Sequence, residues 1–447
     1  MISVHVRKGY DLKLAGKPSR EVEVLEKPGS VAVLPEKIPF IKPRLKIEVG
    51  DNVKVGSILF EDKRNPDLKF LSPGGGKVAQ INFGLRRVIK EIVIKLDSDE
   101  EYEEIEPVSE NLLEHIEKEK LVRKIMAGGL WPFIRKLPFR DIAEPHLTPP
   151  AIFINLCSQE PFQPEAEVYL EGKSDLFKFG IKILQKLANN RVYIFASPDS
   201  STVLDSLKGF ITHVVYGKYP ADDPGVFLYY TRKSPSDNRA WYILGQDVLL
   251  LAHLLKYGRY PTFRTVVLAG QSVDHRKHIQ TRLGAPITHI LKSSIIENSS
   301  RYIAGGVFKG YSVEETTYLG LYETSLTLVP EGREKEFFGF LRPGFSKSSY
   351  SRTFLSAFNT SELKIDCNLH GEERACVNCG YCCEVCPVDI LPQFTLKSIL
   401  ADEVEESLAH GLLDCVECGL CTYVCPSKIE LCAAFKGAKE DYYKESW

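Results

Sequence analysis

The sequence predicts a multidomain α+β protein, and three observations lead to that prediction. The chain has 447 residues, whereas one hydrophobic core usually organises about 100 to 200 residues. Short Val- and Ile-rich runs separated by turn residues fill the first part of the chain, and similar runs alternate with helix-length amphipathic stretches further on. Nine of the twelve cysteines lie between residues 376 and 425. The chain therefore divides into several domains, and the last of them is rich in cysteine.

Residues 1–96 are predicted to form an all-β domain. The runs VAVL, KIEV, GSILF, KVAQI and EIVIKL alternate with clusters of Gly, Pro, Asn and Asp that favour turns. The order IEVGDNVKVGSILFED, followed by FLSPGGGKVAQI, resembles the biotinyl and lipoyl domains and implies a barrel-sandwich hybrid. Lys63 is the candidate for the cofactor-carrying lysine of that family. Its spacing from Gly56 and Pro73 does not suit the symmetric hairpin, so lipoylation is not expected.

Residues 97–262 are predicted to form a linker helix and a Rossmann-like α/β domain. The acidic block DSDEEYEEIE is typical of a solvated linker, and LLEHIEKEKLVRKIMAG follows with a helical pattern. The apolar runs AIFINL, RVYIFAS and THVVYG then alternate with amphipathic stretches, as in βαβ units. No G-x-G-x-x-G motif follows the second of these runs, so a dinucleotide fingerprint is absent.

Residues 263–330 are predicted to form a β-grasp (SLBB-like) module, with strands around a short helix near HRKHIQTRLG. His275 and His278 have the spacing of metal ligands. A charged surface helix is the interpretation we prefer, because a third ligand is not evident nearby. A connecting segment, residues 331–364, and a helical ferredoxin-like domain, residues 365–447, complete the predicted division.

The charge of the sequence argues against a nucleic-acid partner, and its hydropathy argues against a membrane span. The net charge is −2 and the sequence contains no basic block, so nucleic acid is not expected as a partner. No apolar run reaches the roughly 18 residues that span a bilayer, because Asp247 and His253 interrupt the best candidate. The start of the sequence lacks the pattern of a signal peptide. We expect a protein of the reducing cytosol, without a membrane span of its own.

The two cysteine runs are the strongest functional signal. They read CVNCGYCCEVCP and CVECGLCTYVCP, and each matches the C-x2-C-x2-C-x3-C-P pattern of [4Fe-4S] proteins. In two-cluster proteins the fourth cysteine of each run ligates the other cluster, and the following proline turns the chain away. One predicted cluster is therefore held by Cys376, Cys379, Cys382 and Cys425, and the other by Cys415, Cys418, Cys421 and Cys386.

Two structural zinc sites are the alternative explanation for these runs. Zinc takes four cysteines per site, but it leaves the iron–sulfur spacing of the runs unexplained, together with Pro387 and Pro426. Cys383 lies inside the first run and is a candidate substitute ligand. The cysteines outside the runs are predicted to be small buried hydrophobes, namely Cys157, Cys367 and Cys432.

Nearly everything before residue 360 resembles a known family. The segments RKGYDLKLAGKPS, GGLWPFIRKLPF, YLGLYETSLTLVPEGREKEFFGFLRPG and SRTFLSAF are similar to the NqrA family, whose members belong to the sodium-translocating NADH:quinone oxidoreductase. The tail, with DILPQ, DCVECG and YVCPSKI, is similar to the ferredoxin-like domain of RnfC in the Rnf complex. Typical NqrA chains keep only a fragment of the cysteine motif, whereas this chain keeps all eight cysteines.

The resemblance implies a peripheral subunit on the cytoplasmic side of the bacterial inner membrane. Its complex would oxidise NADH, reduce quinone and export Na⁺, with membrane-embedded and flavin-carrying subunits as partners and quinone as the family substrate. In the Rnf and complex I relatives, a loop of the kind GGAAFPTxxKL receives FMN and NADH. Here AGGLWPFIRKLPF places Leu130 and Trp131 where backbone must approach a phosphate, so neither ligand is expected on this chain.

Three functions remain open on the sequence alone. The first is an electron relay within an Nqr-type translocase, in a chain that is not active alone. The second is an RnfC-like subunit of an NAD:ferredoxin oxidoreductase, which the altered glycine segment argues against. The third is a docking scaffold whose clusters are structural. The aromatic end of the chain, YYKESW, is a candidate part of the docking surface.

Overall fold

The computed structural model describes residues 1–292, 294–295, 299–333, 338, 341, 343–347, 350 and 355–446. The strands of the first part of the chain are β1 (Ile2–His5), β2 (Val22–Val24), β3 (Ser30–Val33), β4 (Pro43–Leu45), β5 (Asn52–Val53), β6 (Ile58–Asp62), β7 (Asn65–Leu71), β8 (Gly76–Phe83) and β9 (Ile89–Leu96). Strands β3, β9, β8 and β5 form one antiparallel sheet, and β4, β6 and β7 form another. Phe60 and Phe70 stack with ring centroids 4.5 Å apart inside this barrel-sandwich. The exposed Lys63 lies in the turn between β6 and β7.

The second region alternates strands and helices. Its elements are α1 (Glu110–His115), α2 (Lys118–Ala127), β10 (Arg135–Lys136), β11 (Asp141–Ile142), β12 (Ile152–Asn155), α3 (Ala166–Tyr169), α4 (Ser174–Leu187), β13 (Val192–Ala196), α5 (Ser201–Ser206), β14 (His213–Tyr216), α6 (Pro224–Thr231), β15 (Trp241–Leu244) and α7 (Gly245–Tyr257). Strands β14, β13, β12 and β15 are parallel, as the βαβ pattern predicts. Helices α4 and α7 pack closely because Gly180 leaves room for Val248.

The third region is a mixed sheet with one short helix. Its elements are β16 (Phe263–Ala269), β17 (Lys277–Arg282), α8 (Ile287–Leu291), β18 (Ser300–Ala304), β19 (Tyr311–Val313) and β20 (Ser325–Pro330). The helix predicted near HRKH is wrong, because these residues lead into strand β17, which pairs with β16 and β2. His278 is buried, its Nδ1 lies 2.8 Å from the Ser19 carbonyl, and its Nε2 accepts a bond from the Glu165 amide. His275 is exposed.

The last region is helical. Its elements are α9 (Tyr381–Val385), α10 (Pro392–Leu400), α11 (Val404–Ala409), α12 (Leu420–Tyr423) and α13 (Leu431–Ser446). Helix α13 returns to the body of the protein, where the Tyr443 hydroxyl bonds Asp141 and Arg64, and its ring lies 4.0 Å from that of Phe40. The aromatic end of the chain is therefore packed against its own protein at Tyr443. Trp447 lies outside the described residues.

Two strands near the start of the chain, β1 and β2, belong to the sheets of other regions. Strand β1 pairs in parallel with β14, and β2 pairs in parallel with β17. The acidic block between the first two regions is also partly buried. Glu100 forms an ion pair with Arg282 at 2.8 Å, and both side chains are less than a tenth exposed. The regions are thus joined by strands and buried charges as well as by the chain itself.

No helix among the residues with described positions has the length and apolar character needed to cross a bilayer.

Candidate iron–sulfur site

The two cysteine runs adopt the same local conformation. In the first run Asn378 and Gly380 have positive φ angles of 54° and 81°, and in the second run Glu417 and Gly419 have 55° and 78°. A short helix follows each glycine, α9 in the first run and α12 in the second. Glycine enters this left-handed conformation without the steric cost that other residues bear. The repeated turn therefore gives the first three cysteines of each run a matching arrangement.

A small cavity joins the two runs. It is lined by Cys376, Cys379 and Cys382 from the first run and by Cys425 from the second. Apolar side chains, including Leu396, Ile429 and Leu431, complete its wall. These four cysteines are the set predicted to hold one cluster. A [4Fe-4S] cluster needs four thiolates around one space, and the first run with its crossing partner provides them.

The other four cysteines lie in an apolar interior. Cys386 and Cys418 are buried, and Cys415 and Cys421 pack against the same group of apolar residues. Burial raises the pKa of the Cys418 thiol well above its usual value, and the Cys415 and Cys386 thiols raise it further. Burial likewise raises the pKa of Cys421, with Cys418, Cys415 and Cys386 among its neighbours. Cys386 of the first run therefore lies near Cys418 and Cys421 of the second.

This donor set suits an iron–sulfur cluster chemically. Thiolates are the ligands of iron–sulfur clusters, and apolar burial disfavours free thiolates unless a metal neutralises their charge. Backbone amides of Val388 and Ile390 favour the thiolate form of Cys386 against the effect of burial. Across the described ranges, no three His, Cys, Asp or Glu side chains converge closely enough to hold a single metal ion.

The backbone of the second run is fixed to the α/β region by buried donors. Tyr219 donates its hydroxyl hydrogen to the Cys418 carbonyl at 2.8 Å, and Arg140 donates to the Val416 carbonyl at 3.1 Å. Lys439, only 3% exposed, donates to the Cys415 carbonyl at 2.9 Å and to Glu417 at 2.6 Å. The second run is therefore held by hydrogen bonds from three separate parts of the chain.

The first run is held more loosely and faces solvent. Cys376 and Cys379 are exposed. Lys8 donates to the Cys383 carbonyl at 3.1 Å, and the Cys383 thiol donates to Gln393 at 2.8 Å. The amide of Asn378 lies 3.4 Å from the Cys376 sulfur. Because burial and hydrogen bonds to sulfur tune cluster potentials, the two sites have unequal environments.

The glycine segment before β10 is filled by protein. Trp131 is fully buried, donates its indole hydrogen to the Ala143 carbonyl at 2.7 Å, and packs edge-on against Trp241. A Cβ on Gly128 would meet Leu254 at 2.3 Å, and one on Gly129 would meet Leu71 at 2.5 Å. These glycines serve close packing between elements of the chain.

Besides Cys383, three cysteines fall outside both sets of four. Cys157 is buried, as predicted, and burial raises its pKa. Cys367 and Cys432 are only half-buried, which differs from the prediction. Cys432 neighbours the second set, since it contributes to the raised pKa values of Cys415 and Cys421.

Sequence reasoning missed the residues that support the second run. Tyr219, Arg140 and Lys439 come from three distant parts of the chain, and none belongs to a recognisable motif. Lys439 offered no signal either, because its burial is visible only in the folded chain.

Four family models match the chain in sequence order. They describe an NqrA N-terminal barrel-sandwich hybrid domain at residues 4–97, an NqrA second alpha/beta domain at residues 116–260, an NQRA C-terminal domain at residues 265–315, and a 4Fe-4S dicluster domain at residues 375–429. These matches confirm the predicted fold class.

Curated relatives match over most of their length. The NqrA protein of Histophilus somni strain 2336, from the Na(+)-translocating NADH-quinone reductase, is 31% identical over 412 residues, which is 92% of each chain. The protein of the same name from Yersinia pestis is 32% identical over 413 residues, again 92% of each chain. Among solved structures, an NAD+-reducing [NiFe]-hydrogenase in the H2-reduced state gives a TM-score of 0.34 at 9% identity, covering 49% of this chain and 48% of the other.

Proposed function

This chain belongs to the NqrA family of Na(+)-translocating NADH-quinone reductase subunits, and from that premise we propose that it relays electrons through two [4Fe-4S] clusters. The observation that carries the proposal is the cavity lined by three cysteines of one run and the fourth of the other. Cys376, Cys379, Cys382 and Cys425 would hold the first cluster, and Cys415, Cys418, Cys421 and Cys386 the second. When bound, the clusters supply one-electron redox chemistry.

The protein contributes ligation, burial and position. Because each run would supply the fourth ligand of the other cluster, the two clusters would lie close together, and an electron could pass between them within the protein. The exposed first site offers a contact point for a redox partner, because Cys376 and Cys379 reach the surface. The second site is enclosed by Tyr219, Arg140 and Lys439. Electrons therefore enter or leave at the first site.

Metal content and reversible reduction test this proposal together. Protein prepared without oxygen should contain about eight irons and about eight acid-labile sulfides per chain. Reduction with dithionite should produce electron paramagnetic resonance signals that disappear on reoxidation. Stoichiometric zinc with little iron would refute the assignment. Clusters that are present but cannot be reduced and reoxidised would favour the structural scaffold, whose supporting observation is the firm attachment of the second run to the α/β region.

We also propose that NADH and FMN bind elsewhere in the complex. The segment that would have to approach a phosphate is occupied by the buried Trp131, with Leu71 and Leu254 against its glycines. The purified chain should not reduce ferricyanide with NADH and should release no stoichiometric flavin on denaturation. A flavin-containing preparation of the whole complex is the positive control. Measurable activity of the isolated chain would support the RnfC-like function instead.

The proposed electron relay needs partner proteins, because other components must donate and accept the electrons. The proposed clusters need both a donor and an acceptor, and a Na⁺-translocating complex would supply them through flavin-carrying and membrane-embedded subunits, with quinone as the final acceptor. We place the chain on the cytoplasmic side of the inner membrane. Membranes should retain the protein through salt washing and release it with the complex in detergent. Recovery in the soluble fraction, with quinone reductase activity unchanged by gene deletion, would contradict this.

A further inference from the structure

A group of three buried acids and two partly exposed cations lies where the α/β region, the β18–β19 connection and the second cysteine run meet. We call it the junction cluster, and its members are Arg140, Glu160, Asp222, Asp223 and Lys309. Arg140 donates to both oxygens of Asp223 at 2.8 and 2.9 Å, and Lys309 donates to the same carboxylate at 2.7 Å. The backbone amide of Lys309 donates to Glu160 at 3.0 Å. Three carboxyl groups thus share two cations.

The two cations serve Asp223, which leaves two acids without a charged donor. Although burial opposes ionisation, Arg140 and Lys309 hold the pKa of Asp223 below its usual value. Asp222 receives only backbone amides, at 3.0 Å from Gln159 and 3.4 Å from Glu160, both on Oδ2. Within the described part of the chain its buried Oδ1 accepts no hydrogen bond. A carboxylate in that position is costly unless it takes up a proton.

Burial raises the pKa of Asp222, and Asp223 raises it further, while Lys309 opposes the rise. Burial also raises the pKa of Glu160. Tyr219 and Cys157 are the other titratable groups that face Asp222. With Asp223 ionised and both cations charged, one further negative charge balances the group. The arrangement therefore leaves one of Asp222 and Glu160 ionised and able to take up a further proton.

The junction cluster is in contact with the second cysteine run. Arg140 bridges Asp223 to the Val416 carbonyl, and the Tyr219 hydroxyl bonds the Cys418 carbonyl. The charges of Glu160, Asp222 and Asp223 also raise the pKa of Tyr219. Arg140 and Lys309 line a cleft of about 1660 Å³ between the regions of the protein. Contacts of Lys309 lead from this cleft to Glu160 and Asp223.

We propose that the junction cluster is a proton-accepting site coupled to the electron on the second [4Fe-4S] cluster, with Asp222 as the residue that takes the proton. If a low-potential one-electron donor reduced a cluster held at the second site, one negative charge would be added to the protein, and one proton would move from solvent to the Asp222 carboxylate. Reoxidation would release the electron and the proton together. This inference rests on the proposed function, since it needs a cluster at Cys415, Cys418, Cys421 and Cys386.

The direction of the pH effect follows from the added charge. Reduction raises the affinity of Asp222 for a proton, so its pKa is higher in the reduced than in the oxidised protein. Between those two pKa values, raising the pH makes reduction harder. One proton per electron gives a tenfold change in the equilibrium per pH unit, or about 59 mV. Below and above that window the midpoint potential does not depend on pH.

A redox titration at several pH values tests the proposal. Dithionite and mediators reduce the protein, and electron paramagnetic resonance follows the second cluster in a C376A/C379A background that removes ligands of the first. The midpoint potential should fall with pH in this background and lose that dependence in Asp222→Asn. Asp247→Asn is the matched control, because Asp247 is also a buried acid, with a pKa raised by burial to about 6, but its charged neighbours are Arg264 and Arg135. In Asp247→Asn the midpoint potential should still fall with pH as it does before the substitution.

Infrared difference spectra provide a second readout on the unmodified full chain. Reduction should add the carbonyl band of a protonated carboxylic acid, and Asp222→Asn should remove that band. A midpoint potential independent of pH in the wild-type chain, or a slope and band that survive Asp222→Asn, would overturn the inference while leaving the relay intact. The absence of any reducible cluster would instead overturn the proposed function.

Discussion

Replacing Cys386 with alanine is expected to remove the second cluster and spare the first. Cys386 belongs to the first run in sequence, but its thiol lies among Cys418 and Cys421 of the second. Without Cys386 the second cubane would lack one of its four thiolate ligands, and we expect it to be lost during purification. Iron should therefore fall from about eight to about four per chain. The signal that remains should come from the solvent-facing site.

Cys383→Ala is the matched control for this substitution. Cys383 lies three residues away in the same run, and its thiol donates to Gln393, so the two variants differ mainly in which cysteine is removed. The control should keep the full iron content. If Cys386→Ala lost the cluster of its own run, or if Cys383→Ala lost a cluster, the crossed assignment would be wrong.

Replacing Asp223 with alanine is expected to destabilise the protein by about 1.5–3 kcal/mol, because it removes hydrogen bonds between this buried carboxylate and two charged side chains. Arg140 and Lys309 both bond this carboxylate, which is only 1% exposed. Asp223 also accepts a hydrogen bond from the Gly225 amide at the start of α6. Denaturant unfolding followed by tryptophan fluorescence would measure the loss, since Trp131 and Trp241 lie in the α/β region.

The control for that variant is Asp441→Ala. Asp441 pairs with Lys444 at 3.0 Å on the surface of α13, where its side chain is 72% exposed. Exposed ion pairs contribute about 0–1 kcal/mol, so the control should unfold close to the wild type. Equal losses in both variants would show that the buried position of Asp223 does not matter.

Features encoded locally could be predicted from the sequence. The spacing of the cysteines predicted which residues the structure gathers around the cavity, because each run is a short turn followed by one helix. The large side chain of Trp131 likewise predicted that protein atoms fill the space beside the glycine segment. The apolar runs of the barrel-sandwich predicted its strands, since alternation and turn residues act over a few positions.

Features that depend on distant partners could not be predicted. HRKH carries enough charge to suggest a surface helix, yet pairing with β2 and β16 places His278 in a strand and buries it. The same holds for Tyr219, whose role depends on the approach of Cys418 from 199 residues away. Propensity and spacing carry no information about such contacts.

The pairing of β1 with β14 affects how the chain can fold as it is synthesised. The partner of Ile2 is His213, so at about 5–20 residues per second the ribosome needs roughly 10–40 s to deliver it. During that time β1 has no strand to pair with, and unpaired strands are prone to associate with other chains. Strand β1 has only four residues, two of which are the polar Ser3 and His5. So short a strand offers few backbone groups for association with other chains before β14 is made.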